Sequence, residues 1–207
     1  MVNRTNYGSY EITPYGTQAV RLLDGYKFLS RHSEYFATHS LKELPQKFQN
    51  RLGELNDSEP VNRIMDTFGG IEKMIREAEE YYLYITQETL MTESGVQYTL
   101  NALDNGVKGK GIKPTGFTRP RIIEDTIPDE VWKDFRSHNQ KGSLEHKYLE
   151  SIDIALFMSE KDVFFDFPDN AGNYDYLGFT STDAKALDWG KDVFEYYWER
   201  ASLINSV

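Results

Sequence analysis

The stretch Tyr81-Tyr82-Leu83-Tyr84-Ile85-Thr86 constrains the fold more than any other part of the chain. Its aromatic, aliphatic and β-branched residues make a strand of ordinary length. Two helix-periodic segments flank it. Upstream, Gly69-Gly70 leads into a helix whose Ile71, Met74, Ile75 and Ala78 keep the i, i+3, i+4, i+7 spacing of one apolar face. Downstream, a helix from about Thr92 to Asp104 turns Val96, Leu100 and Leu103 inward and stops at Asn105-Gly106. The basic strand VKGKGIKP follows, and 59–66 reads as a further strand before the first of these helices. Strand, helix, strand, helix, strand with short connections is the pattern of βαβ units, so the expected class is α/β with a mixed sheet containing parallel members. A helix is expected over 128–137, strands over 145–157, 162–167 and 174–179, and a closing helix from Ser181-Thr182-Asp183.

The N-terminal part has a different character. Tyr10-Glu11-Ile12-Thr13 alternates as a short strand, Pro14 and Gly16 break it, and Thr17 is the expected cap of a helix over 17–37. Its Ala19, Leu22, Tyr26, Leu29, Ser33 and Phe36 recur at alternating steps of three and four, the seam of a short coiled coil. Leu22, Tyr26, Leu29 and Phe36 are therefore the candidate dimerisation residues. Pro45 suits the first turn of a short helix reaching Leu55.

Composition removes several functions. With no cysteine, disulfides, thiolate metal sites and cysteine nucleophiles are all excluded. A net charge of −10 disfavours this chain gripping a phosphate backbone by itself. No apolar run reaches the length of a membrane span and no secretion signal opens the chain, so a cytoplasmic protein with no membrane partner is expected. The charge is uneven: Asn105 to Arg121 carries five basic residues and no acidic one, whereas the chain from Glu150 onward carries twelve carboxylates against four basic side chains.

No catalytic constellation emerges. Gly106 and Gly111 have the spacing of a phosphate loop, but Ile112 stands where its lysine belongs. Asp166, Asp169, Asn173 and Asp175 crowd one loop without the glutamate that a calcium loop needs, and the four histidines have no metal-ligand spacing. No catalytic residue, metal or cofactor is expected. The basic segment remains. In βαβ sheets, ligands bind beyond the carboxyl ends of the parallel strands. That rule gathers Tyr84, Thr86, Gln87, Lys113, Arg119 and Arg121 at one edge, where the cations would hold a small anionic effector.

Two phrases carry a family resemblance. STDAKALDWGKDVFEYY, through Ser181, Asp183, Ala186, Leu187, Trp189, Gly190, Phe194, Tyr196 and Tyr197, resembles the closing segment of archaeal winged-helix regulators with the middle domain of the methanogenesis-regulator type. HSLKELPQKFQNRLGEL resembles an upstream phrase of the same family, with Ser40 in place of aspartate and Leu52 of isoleucine. The resemblance implies three parts: 1–16 as the end of a winged-helix wing, 17–58 as linker and dimerisation helices, and 59–207 as an effector-sensing α/β domain. It implies a homodimer that meets DNA only through a winged-helix domain upstream of this chain. The domain is also similar to the phospholipase-D-like regulatory fold of the TrmB type. In that alignment Asp153, Ala155 and Glu160 occupy the histidine, lysine and aspartate slots of the hydrolytic motif, which implies a non-catalytic pocket that includes Asp153. A phosphodiesterase of altered mechanism and a ligand-free assembly module are the alternatives.

Overall fold

The computed structural model describes residues 1–88, 92–118 and 125–203, without the side chains of Arg21 and Leu22. Arg119 and Arg121 lie outside the described residues. The chain opens with a hairpin of β1 (Val2–Arg4) and β2 (Tyr10–Ile12), paired antiparallel from Val2↔Ile12 to Arg4↔Tyr10. Helix α1 (Pro14–Arg31) starts three residues earlier than expected. Thr13, not Thr17, is the cap: its Oγ1 accepts the Gly16 N–H at 3.0 Å. Proline breaks a helix only in its interior, and at the first position its fixed φ and missing N–H suit the start of one. Two short helices, α2 (Ser33–Phe36) and α3 (Gln46–Gln49), and a 3-10 turn at Leu52–Leu55 complete the arm.

The body of the chain contains β3 (Glu59–Pro60), α4 (Ile64–Glu77), β4 (Tyr81–Ile85), α5 (Glu93–Asp104), β5 (Lys108–Pro114), α6 (Asp129–Gln140), β6 (Leu144–Leu149), β7 (Ala155–Ser159), β8 (Val163–Asp166), β9 (Phe179–Ser181) and α7 (Ala184–Arg200). The strand expected over 59–66 shrinks to two edge residues, since Pro60 cannot donate to a ladder. Gly69 and Gly70 lie inside α4 with open space where a Cβ would be, so they do not mark its start. The single strand expected over 145–157 is two strands far apart in the sheet. The order is β3-β9-β8-β7-β4-β5-β6. Strands β4, β5 and β6 run parallel, while β7 pairs antiparallel with β4, and β8, β9 and β3 continue antiparallel.

Alternation along the strands divides the molecule into two layers. Leu83, Ile85, Ile112, Leu156, Met158, Val163 and Phe165 face one side, where α7 and the arm cover them. Phe28 near the end of α1 is wholly buried, its ring 5.2 Å from Phe179 and 6.5 Å from Phe165. Tyr82, Leu144, Phe157 and Phe164 belong to the other side, beneath α4, α5 and α6.

The phrase HSLKELPQKFQNRLGEL is a set of joints between arm and body. Leu44, Phe48, Leu52 and Leu55 are buried in the main core. Arg51 donates two hydrogen bonds to Glu54, 2.9 and 2.8 Å, and a third of 2.5 Å to Asp192 on α7. Gly53 lets α1 approach, for a Cβ there would lie 2.6 Å from Cβ of Asp24. Gly190 plays the same part where α7 crosses β8, its missing Cβ 3.0 Å from Val163.

Candidate functional site

A cavity of about 500 Å³ opens between the second face of the sheet and α4, α5 and α6. Its floor explains the Gly-x-Gly of the basic strand. A Cβ on Gly109 would come within 2.6 Å of the Tyr82 ring, and one on Gly111 would collide with the Tyr84 ring. With both glycines bare, the two tyrosines lie flat across β5, parallel to within 6° at 6.2 Å. Phe157 extends the aromatic floor at 6.1 Å from Tyr84. Glycine inside a strand often marks such a close approach. Ile71, Met74 and Ile75 of α4 and Trp132 and Phe135 of α6 form the apolar walls.

The polar groups sit around this apolar interior. Tyr84 Oη and His146 Nε2 are 2.5 Å apart. Lys113, Arg136, His146 and Glu88 line the cavity with Thr86, Thr99, Asn139 and Gln140. Lys113 Nζ lies 4.1 Å from the centroid of the Phe117 ring. The other lysines of the strand do not contribute: Lys108 is exposed, and Lys110 sits 5.1 Å from the Trp198 ring on the opposite face. Burial raises Tyr82 well above the ordinary phenol range, so its hydroxyl stays neutral.

Of the residues expected at the cleft, the structure brings together Tyr84, Thr86 and Lys113. Gln87 falls in an adjoining cleft with Pro114, Thr115 and Phe117. Asp153 does not line the cavity. It precedes β7 and accepts hydrogen bonds from Tyr197 Oη at 3.1 Å and Ser151 Oγ at 3.3 Å. Glu160 lies past the far end of β7, where it accepts the N–H groups of Glu79, Glu80 and Tyr81. Burial opposes its ionisation, but these backbone donors, Glu79 foremost, outweigh that and hold its carboxyl below the usual range. Asp153 and Glu160 thus stand at opposite ends of a strand and do not converge.

A buried polar bridge joins the cavity to the arm. Thr86 Oγ1 lies 3.2 Å from Tyr176 Oη. Tyr176 N–H donates to Asp166 Oδ2 at 3.0 Å, and Tyr35 Oη of α2 donates to Asp166 Oδ1 at 2.7 Å. Tyr35 Oη also accepts the Phe167 N–H at 2.8 Å. Tyr176 has φ +57°, held by Thr67 Oγ1 donating to its carbonyl at 2.6 Å. Asp166 is fully buried, and that burial pushes its carboxyl up to about 6 although Tyr35 and Tyr176 donate to it. Burial likewise pushes the Tyr176 phenol up to about 12. Sequence reading found the strand-end residues and missed this bridge, the α6 wall and the glycine floor. Only the floor left a visible signal, two glycines alternating in a strand beside Tyr-x-Tyr.

The expected dimer residues divide between surfaces. Tyr26 is 67% exposed, beside exposed Val20 and Leu23. Leu29 and Phe36 pack against the chain's own core, and the side chain of Leu22 is outside those described.

Comparison with known proteins places this geometry in context. Residues 119–200 match the family described as methanogenesis regulatory protein FilR1, middle domain. No curated protein sequence matches the chain significantly. Among solved structures the fold is similar to that reported as "Structure of TrmBL2, an archaeal chromatin protein, shows a novel mode of DNA binding", with a TM-score of 0.54 and 17% identity over 98% of this chain and 77% of that one. A second structure, NucT from Helicobacter pylori, matches with a TM-score of 0.45 and 11% identity over 67% of this chain and 91% of that one. The mixed α/β architecture is thus similar to that of TrmBL2.

Proposed function

We propose, for a chain whose residues 119–200 carry the middle domain of the methanogenesis-regulator family, that it is the non-catalytic, effector-sensing and dimerising part of an archaeal transcription regulator. The division is 1–16 as the end of a DNA-reading wing, 17–58 as the linker, and 59–207 as the sensor. The observation that carries this reading is the aromatic-floored cavity of about 500 Å³, whose lining includes Thr86 at the start of the buried bridge to the arm. Its size is that of a small-molecule site. Apolar walls with Lys113 and Arg136 suit an effector with an aromatic or aliphatic body and one carboxylate, sulfonate or phosphate. An effector of that kind shifts the arm only if it binds two arm positions with different affinity.

A fluorescent naphthalene sulfonate tests the pocket, having both an apolar body and an anion. Arg136→Ala is expected to weaken its binding about tenfold, the effect of one charge-assisted hydrogen bond. Gly111→Val is expected to weaken it further by displacing Tyr84. Binding unchanged in both variants would remove the cavity from the reading. The phosphodiesterase alternative gains nothing from the structure, because Asp153 and Glu160 do not meet.

Dimerisation is assigned to the exposed stripe Val20, Leu23 and Tyr26 of α1, since Leu29 and Phe36 are occupied inside the chain. Leu23→Glu should shift sedimentation at micromolar concentration from dimer to monomer with an unchanged circular dichroism spectrum. A monomeric parent protein would end this assignment.

A further inference from the structure

His39 and the hairpin after β8 meet outside the cavity lining. The junction is rigid: Ser40 N–H donates to Pro168 O at 2.8 Å and Asn170 N–H to Thr38 O at 3.0 Å. The imidazole stacks on Tyr35 at 3.9 Å and its side chain is 8% exposed. Nδ1 lies 3.0 Å from both the carbonyl of Tyr35, which can only accept, and Thr38 Oγ1, and the tautomer with the proton on Nδ1 serves both contacts. Nε2 is buried and makes no hydrogen bond. The nearest carboxylate oxygen, Asp175 Oδ2, is 3.5 Å away. Asp175 Oδ1 is engaged by the Leu177 N–H at 3.0 Å, which turns Oδ2 toward the ring. The second carboxylate is the buried Asp166, and the three ligand atoms lie within 4.8 Å of one another. In that tautomer the Nε2 lone pair faces two carboxylates, an arrangement that a proton or a metal cation between them relieves.

We propose that His39, Asp166 and Asp175 form a site for one first-row divalent cation, which locks the end of the arm to the sensor hairpin. A backbone carbonyl on Nδ1 is the usual partner of an imidazole that ligates through Nε2. Tetrahedral ligands at about 2.0–2.1 Å from zinc stand roughly 3.4 Å apart. His39 Nε2 and Asp175 Oδ2, 3.5 Å apart, already stand at that separation, and the Asp166 ligand oxygen lies within 4.8 Å of both. One imidazole and two carboxylates suit Zn²⁺, Co²⁺ or Mn²⁺. They do not suit Ca²⁺, which takes six to eight oxygens. The three ligands are separated by up to 136 residues, so no spacing motif announces them.

The test uses the untagged full chain, stripped with chelator and titrated with Co²⁺. One equivalent is expected to bind, with visible absorption bands and a raised melting temperature, and Zn²⁺ should displace it. Asp175→Asn and His39→Ala should each weaken binding at least tenfold. His138→Ala, which removes the other histidine paired with a carboxylate (Asp104, 3.1 Å), should leave it unchanged. Asp175→Asn keeps shape at a half-exposed position, so its result does not depend on the tolerance of the buried His39 site. Absence of stoichiometric binding, binding that survives both variants, or equal loss in His138→Ala would overturn the proposal.

Discussion

Trp189→Ala should cost about 3–5 kcal/mol of folding stability, the range for deleting a large aromatic side chain from a packed core. Trp189 has no exposed surface and is where arm, closing helix and sheet meet. Its ring packs edge-on to Phe48 of the arm at 6.2 Å and against Phe165 of β8 at 5.5 Å. Its Nε1–H donates to the Phe48 carbonyl at 3.2 Å. The alanine variant leaves a cavity on both sides of α7 and loses that hydrogen bond. For a chain of this length the melting temperature should fall by roughly 6–20 °C. Trp189→Phe, which retains most of the ring, should lose no more than about half as much. Denaturant unfolding followed by far-ultraviolet circular dichroism and by near-ultraviolet signals should give one shared transition, because the arm has no separate core. If the alanine variant unfolds within about 1 kcal/mol of the parent, or the arm melts first, the arm is not fused to the body.

Elements with strong periodicity were legible in the sequence. The Tyr81–Ile85 strand, the helix capped by Thr92 and the basic strand all stand where their patterns put them. The meeting of Tyr84, Thr86 and Lys113 at one edge of the sheet was legible too, since all three line one cavity. Errors fell where a local signal had two meanings. Pro14 both ends a strand and begins a helix, and Gly69-Gly70 fits a helix start as well as an exposed helix turn. The expected seam over 17–37 is broken where α1 ends at Arg31, and Leu29 on α1 and Phe36 on α2 pack against the chain's own core. Spacing tells which residues share a face and not what that face meets. The polar bridge and the His39 junction were illegible for a different reason. Tyr35 reaches Asp166 across 131 positions, and pairings over such separations exist only once the sheet has formed.

Asp166→Ala should destabilise the chain by about 2–5 kcal/mol in chelator, where no cation contributes. Its two oxygens accept from Tyr35 Oη and the Tyr176 N–H; removing them strands the buried Tyr176 N–H at about 1–3 kcal/mol and leaves Tyr35 Oη only the longer bond to the Phe167 carbonyl, 3.2 Å. Asp166→Asn is the informative companion. Its carbonyl can still accept from Tyr176, while its amide can donate to a Tyr35 oxygen that rotates its own proton away. That variant should therefore lose no more than about half as much. The functional consequence is separable from stability. Tyr176 is the only described side chain hydrogen-bonded to Thr86 while its own backbone N–H is held by the carboxylate that Tyr35 grips. In a chain extended by a DNA-reading domain, Asp166→Asn should bind the naphthalene sulfonate probe within about threefold of the parent. The same variant should lose most of the effect of an effector on DNA affinity. Retained coupling in a stable Asp166→Asn protein would mean that the cavity reports to the arm by another route, through the aromatic contacts of Phe28 and Phe179.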